Sequence, residues 1–258
     1  MNEQKAQERP VVVQGAMSVE TAELIGAMSD AVEEPFGPWR MVRGQLFGHP
    51  LVVCETQWGM ANAAALAAIA IDRYHPAALI SQGTAGAHEA SLNVYDIVLG
   101  VQTVNESAWQ SHYRPVGAGA PYDDLKKLGV FAWDAEKKEF TQEVSHAADA
   151  GLLAAARRAV PQYARGKVVE GVIGTCDSWN CAIDRVNFLH DFYGSLCEEM
   201  EGDAVAQITQ SLGVPFLAIR IISNSILHNQ DPWDLGTGPA CQRFVMEVLK
   251  EWWARRED

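Results

Sequence analysis

The chain alternates short apolar runs with helical segments along nearly its whole length, and this alternation constrains the fold more than any other feature. Apolar runs bounded by turn residues predict strands, and longer periodic segments predict helices. The predicted strands are residues 11–13, 41–47, 51–55, 77–81, 95–100, 167–175, 194–199 and 215–222. The predicted helices are residues 18–28, 62–74, 145–160, 181–190, 202–212 and 238–256. The pattern predicts an α/β fold with a mostly parallel sheet that helices cover on both faces.

Two segments interrupt the alternation. Residues 83–86 consist of small side chains and are predicted to form a loop after a buried strand, and residues 105–140 hold several glycines and prolines and are predicted to form an irregular excursion. A length of 258 residues suits one large domain. We therefore expect a flexible N-terminal segment at residues 1–10 and a single domain at residues 11–258.

The formal net charge of −13 argues against partners that carry many negative charges. Nucleic acids and anionic membranes bind clusters of Lys and Arg, so a small, nearly neutral ligand fits this chain better. Five cysteines without a CxxC pair indicate reduced, buried thiols rather than disulfides or a zinc site. A polar N-terminal segment, and the lack of any run of 18 apolar residues, lead us to expect a cytoplasmic protein without a membrane span.

Ligands of parallel α/β sheets bind at the carboxyl ends of the strands, and two motifs of small residues follow such ends. Residues 15–20 (GAMSVE) follow the first strand, and a Glu at this place can hold a water as a general base. Residues 82–86 (QGTAG) let backbone N–H groups approach a ligand closely. Taken singly, a solvated Glu favoured by the helix dipole and a tight turn explain these motifs at least as well.

Two polar motifs stand at the ends of later strands. Glu199 and Glu201 flank Met200, and a carboxylate accepts two hydrogen bonds well enough to grip the vicinal diol of a ribose. Residues 220–224 (RIISN) end an apolar strand with side chains that need partners or a ligand. The alternatives are a core methionine and a capped strand end.

The four motifs GAMxxE, GTAG, EMEG and RIISN occur in the order and spacing of one family. From residue 11 to residue 224 the chain resembles the purine nucleoside phosphorylase/uridine phosphorylase superfamily. Within it, the chain looks most like the 5′-methylthioadenosine/S-adenosylhomocysteine nucleosidases. The resemblance implies a single-domain, three-layer α/β/α fold with a central twisted mixed sheet. It also implies a nucleosidase that hydrolyses the N-glycosidic bond of a purine nucleoside without a cofactor or a metal, as a homodimer or larger assembly.

The resemblance also implies a role for each matching residue. Glu20 falls at the water-activating carboxylate, and Arg220 would fix the attacking water or the ribose-binding Glu. Glu201 would hold the ribose hydroxyls and Met200 would pack on the ribose, while Trp179 would stack on the purine. The complete set of expected substrate-binding residues is Trp58, Gly59, Thr84, Ala85, Gly86, Trp179, Asn180, Glu199, Met200, Glu201 and Ser223.

One catalytic position departs from the pattern of the nucleosidases. They carry an Asp after this Ser, where it protonates N7 of the leaving adenine, and this chain has Asn224. An amide donates a hydrogen bond but delivers no proton, and loss of a general acid typically costs about 10²–10⁴-fold in rate. Asn224 therefore permits a 6-oxopurine substrate, as in trimeric purine nucleoside phosphorylases and in futalosine hydrolases.

The choice between water and phosphate as nucleophile rests on another departure. Hexameric phosphorylases hold phosphate with several arginines, one of them just before the glycine loop, where this chain has Ser81 and Gln82. Arg43 alone makes a poor phosphate site. We therefore predict hydrolysis, and we keep three alternatives: a 6-oxopurine nucleosidase of the futalosine hydrolase type, a phosphorylase, and a nucleoside-binding protein without catalytic activity.

Overall fold

The computed structural model describes residues 8–134, 137–228 and 233–257. Its strands are β1 (Val11–Gly15), β2 (Ser29–Glu33), β3 (Arg40–Leu46), β4 (His49–Glu55), β5 (Ala78–Ala87), β6 (Ile97–Asn105), β7 (Trp109–Ser111), β8 (Leu125–Lys127), β9 (Val130–Asp134), β10 (Glu139–Glu143), β11 (Ser145–Ala147), β12 (Val168–Thr175), β13 (Ser195–Glu199) and β14 (Phe216–Asn224). Its α-helices are α1 (Ala22–Ala27), α2 (Met60–Tyr74), α3 (Ala150–Ala159), α4 (Ile183–Tyr193), α5 (Gly202–Ser211) and α6 (Thr237–Glu257).

The central sheet has ten strands and is mixed. Its path runs β11-β6-β12-β13-β5-β1-β4-β3-β2, and β14 pairs with both β5 and β6. Five strands close a ring at one end of the sheet, because each pairs with two others in the order β5-β14-β6-β12-β13 and β13 pairs again with β5. The expectation of a mostly parallel sheet is wrong, since β13 and β14 run antiparallel to one neighbour each and β2, β3 and β11 are antiparallel additions.

Helices cover both faces of the sheet, which confirms the three-layer α/β/α architecture. Along β1, Val11 and Val13 face one apolar core and Val12 faces the other, as the two-residue period of a strand requires. The first core packs against α1, α3 and α6, and the second packs against α2 and α5. Both faces of β1 are fully buried, so its sequence is continuously apolar rather than alternating.

Residues 83–86 do not form the predicted loop. They extend β5 to Ala87, and Arg220 to Asn224 of β14 pair with them in parallel. The predicted helix at residues 18–28 is also shorter: a 3₁₀ turn at Ser18–Glu20 precedes α1, and the chain then enters β2, which was not predicted. In both places, long-range strand pairing overrides the local pattern.

The second half of the chain carries two further differences. The predicted helix at residues 145–160 begins only at Ala150, because Ser145–Ala147 pair with β6 and Asp149 caps the helix by accepting the Leu152 N–H at 2.9 Å. The excursion at 105–140 contains two short antiparallel ladders, β7–β8 and β9–β10. Glycines and prolines there concealed strands that are only three to five residues long.

Four of the five cysteines are buried, as expected, and Cys181 is exposed. All five are free thiols. Residues 1–7 of the expected N-terminal segment lie outside the described residues. No helix in the described part of the chain is long and apolar enough to cross a bilayer.

Candidate active site

A cleft opens where β1, β5, β13 and β14 end, as the strand-end rule predicts, and its empty volume is about 600 Å³ with the open mouth included. We call this cleft the cavity. Most of the predicted site residues line it. They are Glu20, Trp58, Thr84, Ala85, Gly86, Trp179, Glu199, Met200, Glu201, Ser223 and Asn224. Gly59, Asn180 and Arg220 stand behind this wall, where each is hydrogen-bonded to an acidic residue of the lining. The motifs that are far apart in the sequence therefore meet at one place.

Glu20 is buried at the cavity floor and accepts four hydrogen bonds. Oε2 accepts the N–H groups of Ala16 and Met17 at 2.8 and 3.3 Å. Oε1 accepts the N–H and the hydroxyl of Thr84 at 2.8 and 3.0 Å. Burial raises the pKa of Glu20, and the Thr84 hydrogen bonds and the charge of Arg220 oppose part of that rise. A fixed carboxylate with a raised pKa is a stronger base than a solvated one.

Gly83 is what lets the Glu20 carboxylate lie against β5. A Cβ added at Gly83 would come within 2.7 Å of Glu20 Oε1, which is closer than real Cβ contacts allow. Gly83, the first glycine of the GTAG motif, is thus required by the close approach of the Glu20 side chain and not by a turn.

Arg220 and Glu199 form a buried ion pair beneath the cavity. The guanidinium donates through Nε at 3.1 Å and through Nη2 to Glu199 Oε2, and Nη1 donates to the Ser81 carbonyl at 2.9 Å. Glu199 also accepts the N–H groups of Glu201 and Gly202 at the start of α5 and the Thr175 hydroxyl. These internal partners give Glu199 a structural role, and its predicted contact with a ligand stays a prediction, since Glu199 also lines the cavity.

Glu201 points into the cavity and has fewer partners. Its Oε1 accepts the Gly59 N–H at 2.9 Å, where Gly59 adopts a φ of 97° just before α2. Burial and the negative charge of Glu199 raise the pKa of Glu201 to about 8, against the opposing charge of Arg220. Glu201 is therefore the acid of the EMEG motif that remains available to a ligand.

Asn224 ends β14 at the opposite side of the cavity. Its Oδ1 accepts the Ser223 hydroxyl at 3.0 Å, and the Ser223 hydroxyl also lies 3.2 Å from the Ala85 carbonyl. Nδ2 has no acceptor among the residues that the structure describes, and it stands 3.3 Å from the place of a Cβ on Gly86. The amide N–H groups are thus free to donate to a ligand.

Three tryptophans form the rim of the cavity. Trp233 makes edge contacts with Trp58 and with Trp179, at ring-centroid distances of 6.5 and 6.1 Å. Trp58 and Trp179 are each about half exposed, at 51% and 50%. A flat or apolar ligand that enters the cavity would cover these ring faces and gain from their burial.

Five lining residues were not among the predicted ones: Ala16, Met17, Ser178, Glu198 and Trp233. Ala16 and Met17 belong to the GAMxxE motif and Ser178 precedes Trp179, so their motifs place them. The sequence does indicate Glu198, because it is a third acidic residue and directly precedes the EMEG motif. Trp233 follows the last matching motif, and nothing local marks it.

The cavity lining contains no Lys or Arg among the described residues. Arg220 beneath it is occupied by Glu199 and Ser81. Arg43, the isolated candidate for phosphate, lies on β3 with half of its side chain exposed and pairs with Glu34 at 2.9 Å. The described site thus offers carboxylates, amides and aromatic rings, but no cation free to hold a phosphate.

Comparison with known proteins assigns the family. The profile of the phosphorylase superfamily matches residues 10–252, so the chain belongs to this superfamily. The 5′-methylthioadenosine/S-adenosylhomocysteine nucleosidase of Shewanella loihica is 30% identical over 243 residues, which cover 92% of this chain and 96% of that relative.

Solved structures agree with the fold. The same nucleosidase from Neisseria meningitidis, in complex with methylthio-immucillin-A, has a TM-score of 0.74 and 25% identity and covers 94% of this chain and 99% of its own. A futalosine hydrolase mutant of Helicobacter pylori has a TM-score of 0.75 at 20% identity, covering 94% and 99%. At that identity the second likeness supports the fold alone.

We predict that Glu199→Gln lowers the free energy of unfolding far more than Glu201→Gln. The first change removes the ion-pair partner that Arg220 contacts directly, and breaking a buried pair typically costs about 3–5 kcal/mol. The second should cost less than about 1 kcal/mol near neutral pH, because a pKa of about 8 keeps the Glu201 carboxyl largely protonated and Gln resembles that form. Urea denaturation of both variants measures the difference, and equal losses would contradict the division of roles.

Proposed function

We propose that this protein is a purine nucleosidase that hydrolyses the N-glycosidic bond of a 5′-modified purine nucleoside. The observation that carries the proposal is the buried Glu20 carboxylate, which four donors hold at the floor of a cavity whose described lining has no free cation. A fixed base without a phosphate clamp suits water as the nucleophile. Membership of the phosphorylase superfamily and the similarity to methylthioadenosine/S-adenosylhomocysteine nucleosidases support the same chemistry.

In the proposed reaction, Glu20 accepts a proton from water as the water oxygen bonds to C1′ of the ribose. The C1′–N9 bond breaks, and its electron pair stays on the purine. Positive charge develops on the ribosyl group in the transition state, close to the buried carboxyl groups of Glu20 and Glu201. Groups placed where charge develops, in a site with little water, stabilise such a transition state strongly.

The ribose and the base have distinct binding surfaces in this proposal. Glu201 accepts hydrogen bonds from the 2′- and 3′-hydroxyls, and Met200 packs on the ribose. Trp179 stacks on the purine, a contact worth about 1–3 kcal/mol per base in nucleic-acid sites. Asn224 donates from Nδ2 to the purine edge. The apolar rim of Trp58 and Trp233 suits an uncharged 5′ substituent such as a thioalkyl group.

Phosphate independence tests the reaction type directly. We expect the protein to release free purine and a reducing sugar from methylthioadenosine, S-adenosylhomocysteine or inosine at the same rate with and without phosphate. The reason is that no Lys or Arg among the described residues lines the cavity. Chromatography of the products distinguishes ribose from ribose 1-phosphate. Phosphate-dependent formation of the sugar phosphate would identify a phosphorylase, and binding without turnover would identify a nucleoside-binding protein.

We predict that Glu20→Gln lowers kcat by at least about 10²-fold and leaves the fold intact, since Gln keeps the size but accepts no proton. Circular dichroism and binding of a nucleoside analogue provide the check on folding. Glu23→Gln is the matched control, because Glu23 is an exposed acid on α1 that pairs with Arg243 at the surface. A rate near that of the wild type for Glu20→Gln would remove Glu20 from the mechanism.

A 6-oxopurine nucleoside is the second candidate substrate, and Asn224 is the observation that favours it. An amide donates to O6 or N7 of hypoxanthine but supplies no proton. Sites built on hydrogen bonds discriminate well because a mismatched group stays unpaired.

We predict that Asn224→Asp shifts the preference from inosine-type towards adenosine-type substrates. The carboxyl group can protonate N7 and accept from the exocyclic amine of adenine. The measurement is kcat/KM for matched inosine and adenosine derivatives in both proteins. An unchanged ratio would mean that Asn224 does not read the base.

Two finer expectations complete the proposal. The assembly is a homodimer or larger, because Trp109, Tyr113, Val116 and Tyr122 of the 105–140 excursion expose apolar surface that a partner subunit would cover. The location is the cytoplasm, which suits a chain of five free thiols.

A further inference from the structure

A second group of titratable side chains lies directly behind the cavity wall. It consists of His88 at the end of β5, Glu106 after β6, and Ser195 and Glu198 of β13, and we call it the His88 cluster. Glu198 lines the cavity, and the other three are at most 2% exposed. None of the four has a role in the reaction described above.

The contacts within the cluster form a continuous chain. The Ser195 hydroxyl donates to Glu106 Oε1 at 2.6 Å and lies 3.0 Å from His88 Nδ1. On the other side of the ring, His88 Nε2 lies 3.2 Å from Glu198 Oε2. That contact is not aligned as a hydrogen bond, and Nε2 has no other acceptor in the described part of the chain.

Glu198 is held at the cavity wall by a neighbour that also faces the base. Asn180 donates its backbone N–H to Glu198 Oε1 at 2.8 Å and its Nδ2 to Oε2 at 2.6 Å. Trp179, the residue proposed to stack on the purine, immediately precedes Asn180 and lines the same cavity. The Glu198 carboxylate is thus placed beside the proposed base site.

The cost of burying these groups indicates a function. Burying two carboxyl groups and an imidazole costs more free energy than burying apolar side chains of the same size. Such groups are typical of sites where their protons are used. Burial raises the pKa of Glu106 to about 7, against the opposing influence of His88, Ser195 and Arg185, and Glu198 adds to the rise. At a pKa of about 7 the Glu106 carboxyl exchanges its proton near neutral pH, at the end of the hydrogen-bonded series that lies farthest from the cavity.

We propose that Glu198 is the general acid that protonates the leaving purine, and that Glu106, Ser195 and His88 form the relay that reloads it. The proposal rests on the proposed nucleosidase function. It answers the question that Asn224 raises, because an amide in that place delivers no proton to the base. The chain supplies the proton from a neighbouring strand instead.

The proton count balances over one turnover. Glu198 gives its proton to a purine nitrogen as the C1′–N9 bond breaks, and Glu20 takes a proton from the attacking water. The relay requires the Ser195 hydroxyl to turn its hydrogen from Glu106 Oε1 to His88 Nδ1, 3.0 Å away. One proton then moves at each link: from Glu106 to Ser195, from Ser195 to His88 Nδ1, and from His88 Nε2 to Glu198. After the products leave, water in the emptied cavity reprotonates Glu198, the one member of the cluster that lines the cavity, and the same links return a proton to Glu106 in the reverse order. Glu20 gives its proton to water, so the net reaction is hydrolysis.

The test compares two leaving groups. Purines leave poorly as anions and need a proton, whereas 4-nitrophenyl riboside releases a stable phenolate without one. For His88→Gln and Glu198→Gln we expect kcat/KM with the purine nucleoside to fall by about 10²-fold or more, the scale of a general acid. The rate with 4-nitrophenyl riboside should stay within about threefold of the wild type. Glu106→Gln should lower the purine rate selectively as well.

His146→Gln is the matched control. His146 is another buried histidine, 3% exposed, and its Nδ1 pairs with Asp203 at 2.8 Å, away from the cavity lining. This variant should lose stability without changing the ratio of the two rates. A variant of the His88 cluster that loses both activities equally has a damaged fold or pocket, and that result for all three variants would overturn the relay.

The Asn224→Asp background sharpens the test. The Asp supplies its own proton, so the purine-specific loss caused by His88→Gln should shrink by at least tenfold in the double variant. An equal loss in both backgrounds would contradict the relay. A wild type that cleaves 4-nitrophenyl riboside but no purine nucleoside would instead refute the proposed function.

A metal ion is the competing occupant of the cluster, since His88, Glu106 and Glu198 are ligand types within 4.8 Å of one another. Metal analysis of the purified protein distinguishes a bound metal ion from a proton relay. We expect less than 0.1 equivalent of zinc or manganese (roughly, the level of a contaminant) and no effect of chelators on the purine rate. A stoichiometric ion that His88→Gln removes would overturn the relay, because a metal-bound ring nitrogen carries no proton.

Discussion

The buried ion pair of Arg220 and Glu199 is the interaction on which the site depends. It joins the end of β13 to β14, and through the Ser81 carbonyl it reaches β5. Glu199 also accepts the first N–H groups of α5, so the pair orients both the helix and the strand ends. A buried pair contributes little net stability compared with apolar residues, but loss of one partner is costly. Its value here is that it defines where Met200 and Glu201 point.

Around this pair, the acidic side chains outnumber the basic ones. Glu20, Glu199 and Glu201 converge on one guanidinium, and burial raises the pKa of Glu20 and, with the charge of Glu199, that of Glu201. The cavity around these side chains therefore disfavours additional negative charge and stabilises positive charge. An anionic nucleophile such as phosphate is therefore poorly suited to it, while a ribosyl group that gains positive charge is stabilised. The same electrostatics supports the proposal that water is the nucleophile and that Glu20 is its base.

The part of the cavity proposed to bind the purine has a different arrangement of polar groups. Asn224 offers N–H groups, and Glu198 offers a carboxyl group that Asn180 orients. In the proposed reaction, recognition of the purine belongs to Asn224 on β14 and delivery of a proton to Glu198 on β13. Such a division allows the residue at 224 to choose the base without also acting as the acid, and it makes the two functions separable by mutation.

The alternation of apolar runs predicted the α/β class, and the motifs at strand ends predicted Glu20, Glu201 and Asn224, because burial patterns and strand-end chemistry are local in the sequence. The extension of β5 through the GTAG motif was missed, since its partner Arg220–Asn224 lies more than a hundred residues away. The partners of Glu199, the rim residue Trp233 and the His88 cluster were also decided by the tertiary structure. His88 and Ser195 are 107 residues apart, and no local pattern encodes a contact of that range. The sequence by itself determined which chemical groups reach the strand ends, and only the packing of the sheet determined which of them meet.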